Sequence, residues 1–351
     1  MKPSDHHLFW NIQRNAFIEL GRSMNTFLDS VFYDMPSLTS EEKSALSNEK
    51  SAEGSVLIVY PGNAARAIDT LTPLEFITDQ KKQGAETVDA IAVPGVGSSK
   101  MGTAALARNV ANAINRPVAG IVSGLGMADL LSEAMGGWFV LGYKNTMRDM
   151  AAKFFDLIEL KDHVWEERSY RSLVKDENLS DFDLAPYMFG SPDATALLLT
   201  LYHLRKQITL LVGHSKGDYM IENALEGMTR LCQLKKEKLP DQLKIVTLGA
   251  VVRFPEAFEK NAAQFIGTLD GFGFINSRLN LNPMKIEGAW HSLNTALPGH
   301  LSVEKAVQMA NEHFGAIEEI RPAEKREAEP SVVQTATIPS DEGDARRDMQ
   351  G

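Results

Sequence analysis

The chain has 351 residues, and 44% of them are hydrophobic, enough for a sizeable buried core and too many for wholesale disorder. Its formal charge of −10 opposes the basic footprint that general nucleic-acid binding requires. Cys232 is the single cysteine, which excludes an intrachain disulfide or a Cys-rich metal site and fits a reducing compartment.

The first element, residues 4–35, reads as an amphipathic helix. Ser4 or Asp5 can cap it, and Ile12, Ala16, Leu20, Met24, Phe27, Leu28 and Val31 share one face, broadened by Phe9, Trp10 and Phe17. Such a stripe packs on its own domain or docks peripherally on a granule, a membrane surface or a partner. The polar start lacks the apolar stretch of a secretory signal, and no run of ~18 apolar residues occurs, so the expectation is a cytoplasmic chain without a transmembrane segment. Pro36 closes this first unit, 1–36, and the polar residues 37–53 read as a linker.

From residue 54 to 320 the pattern is α/β. The predicted strands are Val56–Tyr60, Val88–Val93, Val118–Val122, Ile208–Val212, Leu243–Leu248, Phe265–Leu269 and Met284–Glu287. Predicted helices cover Pro73 to about Gln83, Thr103 to about Ile114, Pro192–Arg205 and Ser302–Phe314. Strands that alternate with helices predict a mostly parallel sheet covered by helices on both faces. Residues 137–190, rich in aromatics and charge, interrupt the rhythm and read as a helical cap insertion. The tail 321–351 has no aromatic residue and many charged or small ones, and is expected to be disordered.

The sharpest local signal is Gly213-His214-Ser215-Lys216-Gly217, a G-x-S-x-G between an apolar strand and a helix-forming segment. A serine on a tight strand-to-helix turn is exposed at the carboxyl edge of the sheet, and glycines relieve the crowding around it. The competing reading is a serine that only caps the helix. As a nucleophile it needs a base and an orienting acid, in the order Ser, Asp or Glu, His. Asp270 follows a predicted strand and is favoured as the acid, although Asp270-Gly271 also reads as a turn pair. Three histidines follow Ser215: His313 falls inside the last helix, leaving His291, which leaves a strand directly, and His300, the second choice. His214 points away from Ser215 and reads as structural. For the developing oxyanion, the backbone N–H groups of Lys216 and of Val96, in the glycine loop after Val93, are the candidate donors.

Neither glycine-rich loop fits a phosphate cradle. Lys100 stands where the loop from Gly95 needs its third glycine, and Asp129 does so for the loop from Gly124. With no HExxH and no Cys/His cluster, neither a cofactor nor a metal is expected.

The apolar strand, the Pro-Gly loop, the GHSKG turn, the late Asp and the later His together resemble the α/β-hydrolase superfamily of serine esterase and lipase-like enzymes, over about residues 54–316. VPGVGSS resembles the loop that family members often write with His-Gly, with Pro94 in place of the His, and GAWH resembles the segment carrying the family's catalytic His. Asp218 departs from the small residue found there in many lipases and esterases. The resemblance implies an eight-stranded, mostly parallel sheet, a variable cap, and ester, thioester or amide chemistry without a metal. The expected activity is hydrolysis of a carboxylic ester, lipid-like or thioester, through Ser215, Asp270 and His291 and an acyl-enzyme. Trp138, Phe139, Phe154, Phe155 and Trp165 offer a wall for an apolar acyl group. An acyltransferase would share the acyl-enzyme, and a non-catalytic binding or scaffold protein on the same fold is the alternative from another class.

Overall fold

A computed structural model of the chain describes residues 28–48, 53–64, 66–95, 98–123, 192–278 and 281–320, with side chains through residue 315. The strands are β1 (Val56–Val59), β2 (Asp69–Leu71), β3 (Ala90–Val93), β4 (Val118–Ile121), β5 (Leu210–His214), β6 (Lys244–Leu248), β7 (Ala262–Gly267) and β8 (Met284–Ile286). They form one eight-stranded sheet in the order β2-β1-β4-β3-β5-β6-β7-β8. Every pairing from β4 to β8 is parallel, and β1 alone runs against its neighbours β2 and β4.

Side chains two apart along a strand share a face, and the core divides accordingly. Val56, Ile58, Ile91, Val93, Leu211 and Ile245 point into one apolar layer; Leu57, Val59, Ala90, Ala92, Val212 and Val246 point into the other. Strands buried on both sides have to be apolar throughout, which explains the unbroken runs in the sequence. The first layer is completed by the helices α2 (Pro73–Gln80), α4 (Pro192–His203) and α5 (Lys216–Lys235). The second contains residues of α1 (Ser40–Asn48), α3 (Lys100–Ile114) and α8 (Val303–Ile320). Short helices α6 (Glu256–Glu259) and α7 (Gly271–Ile275) follow β6 and β7.

Local chemistry sets the helix starts. Thr72 accepts from the Glu75 amide while the Glu75 carboxylate accepts from the Thr72 amide, with Pro73 in the first turn, so α2 begins on a reciprocal cap. Ser99 caps α3 through the Met101 amide. Among the described residues no helix is long and apolar enough to cross a membrane. The chain divides at Phe314 into two units, of which the second, Gly315–Gly351, is described only for the backbone of the end of α8.

Two expectations differ from what the structure contains. The described end of the helix expected over 4–35 stops at residue 32, because Met35–Ser37 forms a 3-10 turn around Pro36, which has no N–H to continue a helix. The stretch expected as a linker, 37–53, contains α1, whose Leu46 is buried in the second layer and whose Glu42 pairs with Arg108 of α3. Its apolar residues are too few to show a helical stripe, so the helix is held by that ion pair, by its own Leu46 and by Leu38 just before it. The edge strand β2 was hidden by its short, polar Asp-Thr-Leu sequence. Residues 1–27, the stretch 137–190 expected as a cap and the tail 321–351 expected to be disordered lie outside the described residues.

The Arg108 side chain is 3% exposed and that of Glu42 10%. Removing one partner leaves a buried charge uncompensated, so Glu42→Ala is expected to destabilise the protein by about 3–5 kcal/mol. Urea unfolding of wild type and variant measures this, and a change below about 1 kcal/mol would show that α1 is peripheral.

Candidate active site

Parallel strands bring their carboxyl ends to one edge, and loops leaving that edge can meet there. Pro94-Gly95 follows β3, Ser215 follows β5, Gly249 follows β6, Asp270 lies three residues beyond β7, and His291 five residues beyond β8.

Ser215 sits between β5 and α5 with φ 56° and ψ −117°, a conformation that costs a non-glycine residue about 1–3 kcal/mol. Its backbone is pinned, with its N–H donating to the Leu248 carbonyl at 2.9 Å and its carbonyl accepting from the Asp218 N–H at 3.0 Å. It occupies the N-cap position of α5, yet its side chain makes no capping hydrogen bond. The strained turn does not use the hydroxyl to cap the helix. The motif's glycines have steric reasons. A Cβ on Gly217 would lie 2.1 Å from the Val93 carbonyl oxygen, and one on Gly213 would lie 2.3 Å from Asp218 Oδ1. Lys216 is the first residue of α5, so its amide lies on the helix's N-terminal rim beside Ser215.

His291 and Asp270 are brought together. His291 Nδ1 lies 2.9 Å from both carboxylate oxygens of Asp270, and both side chains are buried. Asp270 also caps α7 by accepting from the Gly273 N–H at 2.6 Å, so the same carboxylate serves the turn and meets the imidazole. With Nδ1–H donated to Asp270, His291 presents the lone pair of Nε2. The ring lies against Gly249, where a Cβ would be 2.9 Å from His291 Cε1. Gly249 directly follows Leu248, whose carbonyl anchors Ser215, and Gly95 comes close to Ser215 from β3 (a Cβ there would be 3.2 Å from Ser215 Cβ). His300 Nδ1 donates to the Leu297 carbonyl at 3.1 Å, and His313 lies within α8. Val96 lies outside the described residues.

His214 is buried, with Nδ1 3.1 Å from the Tyr33 hydroxyl and Nε2 3.0 Å from the His291 carbonyl oxygen. Burial and the neighbouring His291 push its pKa well below the usual imidazole value, so it stays neutral. Asp218 is wholly buried beside the turn. Backbone amides face its carboxyl without a hydrogen bond of ordinary geometry, and burial pushes its pKa well up.

Asp29 and Tyr33 were missed by sequence reasoning. They lie four apart where the helix ends, the Tyr33 N–H donating to the Asp29 carbonyl at 2.8 Å, a polar pair within the apolar helix expected over 4–35, and that spacing was the available signal. The Tyr33 hydroxyl accepts from the Gly95 N–H at 2.6 Å, while Asp29 accepts from the Ser99 N–H at 3.1 Å and the Ser98 hydroxyl at 3.2 Å.

Burial raises the Asp29 pKa from 3.8 to about 6, against the opposing pull of its bonds to Ser99 and Ser98. A folded-state value above the unfolded one means that the native state binds the proton more tightly. Stability therefore falls as pH rises from about 4 to about 6, by about 3 kcal/mol in all. Urea midpoints measured across pH 4–8 are expected to lose that component in Asp29→Asn; equal slopes for both proteins would disprove it.

Among the described residues no group of three or more His, Cys, Asp or Glu side chains is placed to hold a metal ion. No protein-family model and no curated protein sequence matches the chain, so the site's own geometry is what bears on its function.

Proposed function

We propose that the protein is a serine hydrolase of the α/β-hydrolase fold that cleaves carboxylic esters with an apolar acyl group. The observation that carries this reading is the buried Asp270–His291 pair at the same sheet edge as the strained Ser215 turn. The eight-stranded, mostly parallel sheet is compatible with that fold.

In this mechanism Ser215 Oγ attacks the ester carbonyl carbon as His291 Nε2 takes the hydroxyl proton. Asp270 orients the imidazole and stabilises its cation. The tetrahedral oxyanion is held by the Lys216 amide and by a second amide from the loop after β3. In this reading that donor is the Val96 amide, with which the neighbouring Gly95 N–H, given to Tyr33, does not compete. Collapse of the intermediate breaks the ester C–O bond, and His291 returns its proton to the departing alcohol. Water, deprotonated by the same nitrogen, then attacks the acyl-enzyme and releases the acid. An acyltransferase would differ only in using a second alcohol in place of water.

The apolar acyl class is supported by the surface around Asp270. Leu269, Phe272, Phe274 and Ile275 are all exposed, by 41–72%, within one seven-residue stretch that contains the acid. The Phe272 ring centroid is 6.1 Å from that of His291. Scattered exposed hydrophobics are ordinary, whereas a cluster beside a candidate site favours an apolar ligand.

A fluorophosphonate probe is expected to label the wild type and to leave Ser215→Ala unlabelled. His291→Ala is expected to slow labelling by about 10²- to 10⁴-fold and His300→Ala to leave it unchanged. A folded wild type that stays unlabelled would replace this reading with a non-catalytic scaffold. Phe272→Ser is expected to lower kcat/KM about tenfold for long-chain esters and little for acetate esters; equal losses on both would argue against an acyl-binding role for this face.

A further inference from the structure

The final helical turn of the N-terminal segment is fastened to two loops that carry the proposed chemistry. On one side lies the loop after β3. Tyr33 takes the N–H of Gly95 near its start, and Asp29 takes Ser98 and Ser99 at its end. The amide expected to bind the oxyanion, that of Val96, lies between these two anchors in sequence. On the other side lies the loop carrying His291. The Ser292 hydroxyl donates to the Val31 carbonyl at 2.6 Å, the Leu293 N–H to the Phe32 carbonyl at 2.8 Å, and the Asn294 amide to the Ser30 carbonyl at 2.8 Å. The Thr295 hydroxyl donates to Asp34 at 2.8 Å, and Phe32 meets the His291 ring edge-on at 5.7 Å.

One hydrogen-bond chain joins the two sides through the residue before the nucleophile. Because the Tyr33 oxygen accepts from Gly95, its own hydrogen is available for His214 Nδ1. A neutral His214 that accepts at Nδ1 carries its hydrogen on Nε2, which faces the carbonyl of His291. The sequence is Gly95 N–H to Tyr33 Oη–H to His214 Nδ1, then His214 Nε2–H to His291 C=O. All these groups are buried, so water cannot replace a lost member without rearrangement. The aromatic ring of Tyr33 could be kept in place by Phe, but the chain would then be cut at its centre.

We propose that Tyr33 is a positioning residue, whose hydroxyl sets the oxyanion loop at Gly95 and, through His214, the backbone that carries the base. The proposal rests on the serine-hydrolase reading. Both loops act on groups that change charge in the transition state, so the loss falls on kcat and leaves KM nearly unchanged.

The test compares full-length wild type and Tyr33→Phe by fluorophosphonate labelling of Ser215 and by hydrolysis of a chromogenic ester, with rates normalised to titrated active sites. Normalisation separates slower chemistry from a smaller folded fraction. The expected result is a 10- to 100-fold lower labelling rate and kcat per site, with KM within about twofold. A wild type that is labelled, with Tyr33→Phe matching its rate per site, overturns this proposal and leaves the hydrolase reading standing. An unlabelled wild type removes the hydrolase reading, and this proposal with it. A second measurement is independent of the variant's folding: ¹⁵N-histidine NMR of the wild type is expected to show His214 neutral, with its hydrogen on Nε2, from pH 7 to 8. A proton on Nδ1 in that range breaks the inferred chain and overturns the proposal.

Discussion

The close approach of α5 to the end of β3 constrains everything else at this edge. Strands β3 and β5 are paired in register, with Val93 opposite Gly213, so a helix that starts at Lys216 must turn back directly over the last carbonyls of its neighbour. At Gly217 there is no room for even one methyl group. The chain makes that turn in a single residue, which puts Ser215 in a conformation that an unconstrained serine would leave. The bonds from Ser215 to Leu248 and Asp218 hold it there. Local strain of about 1–3 kcal/mol is sustainable because the two apolar layers around the sheet over-determine the positions of β3, β5 and α5.

A second consequence concerns charge. The same edge gathers Asp29, His214, Asp218, Asp270 and His291, each nearly inaccessible to water. Isolated ions there would be costly, and the groups meet that cost differently. Burial disfavours the charged forms of Asp218 and His214, whereas Asp270 is satisfied by the His291 ring and the Gly273 amide. The Asp270 carboxyl is thereby directed at one imidazole. Low local polarity strengthens that single interaction.

The α/β layering was legible in the sequence because strands buried on both faces must be apolar throughout, and such runs between helical segments stand out. Val56–Val59, Lys244–Leu248 and Ala262–Gly267 were each found to within a few residues. The turn at Ser215 was legible from the two glycines, whose need is steric and leaves a mark in the composition. Asp270 and His291 were readable as residues leaving strand ends, but nothing in one sequence tells which histidine meets which carboxylate. Their contact depends on how α7 and the loop to residue 295 fold back. The helix α1 and the contacts of Asp29 and Tyr33 were not legible. They depend on pairings across more than sixty residues, Glu42 with Arg108 and Tyr33 with Gly95 among them, and no local pattern encodes such distances.

The clasp between residues 30–34 and 292–295 joins points 261 to 264 positions apart along the chain. Closing so long a loop carries an entropic cost that local helix formation does not, so the contact belongs to the late part of folding. During synthesis it cannot form at all until the second half of the clasp has left the ribosome. At about 5–20 residues per second, roughly 13–50 s separate the appearance of Phe32 from that of Leu293. Throughout that interval the segment 28–35 lacks the loop 292–295, and any turn formed at Ser215 is without His291. The sheet can be nearly complete while the site is not. The candidate site is thereby among the last parts of the described fold to be assembled.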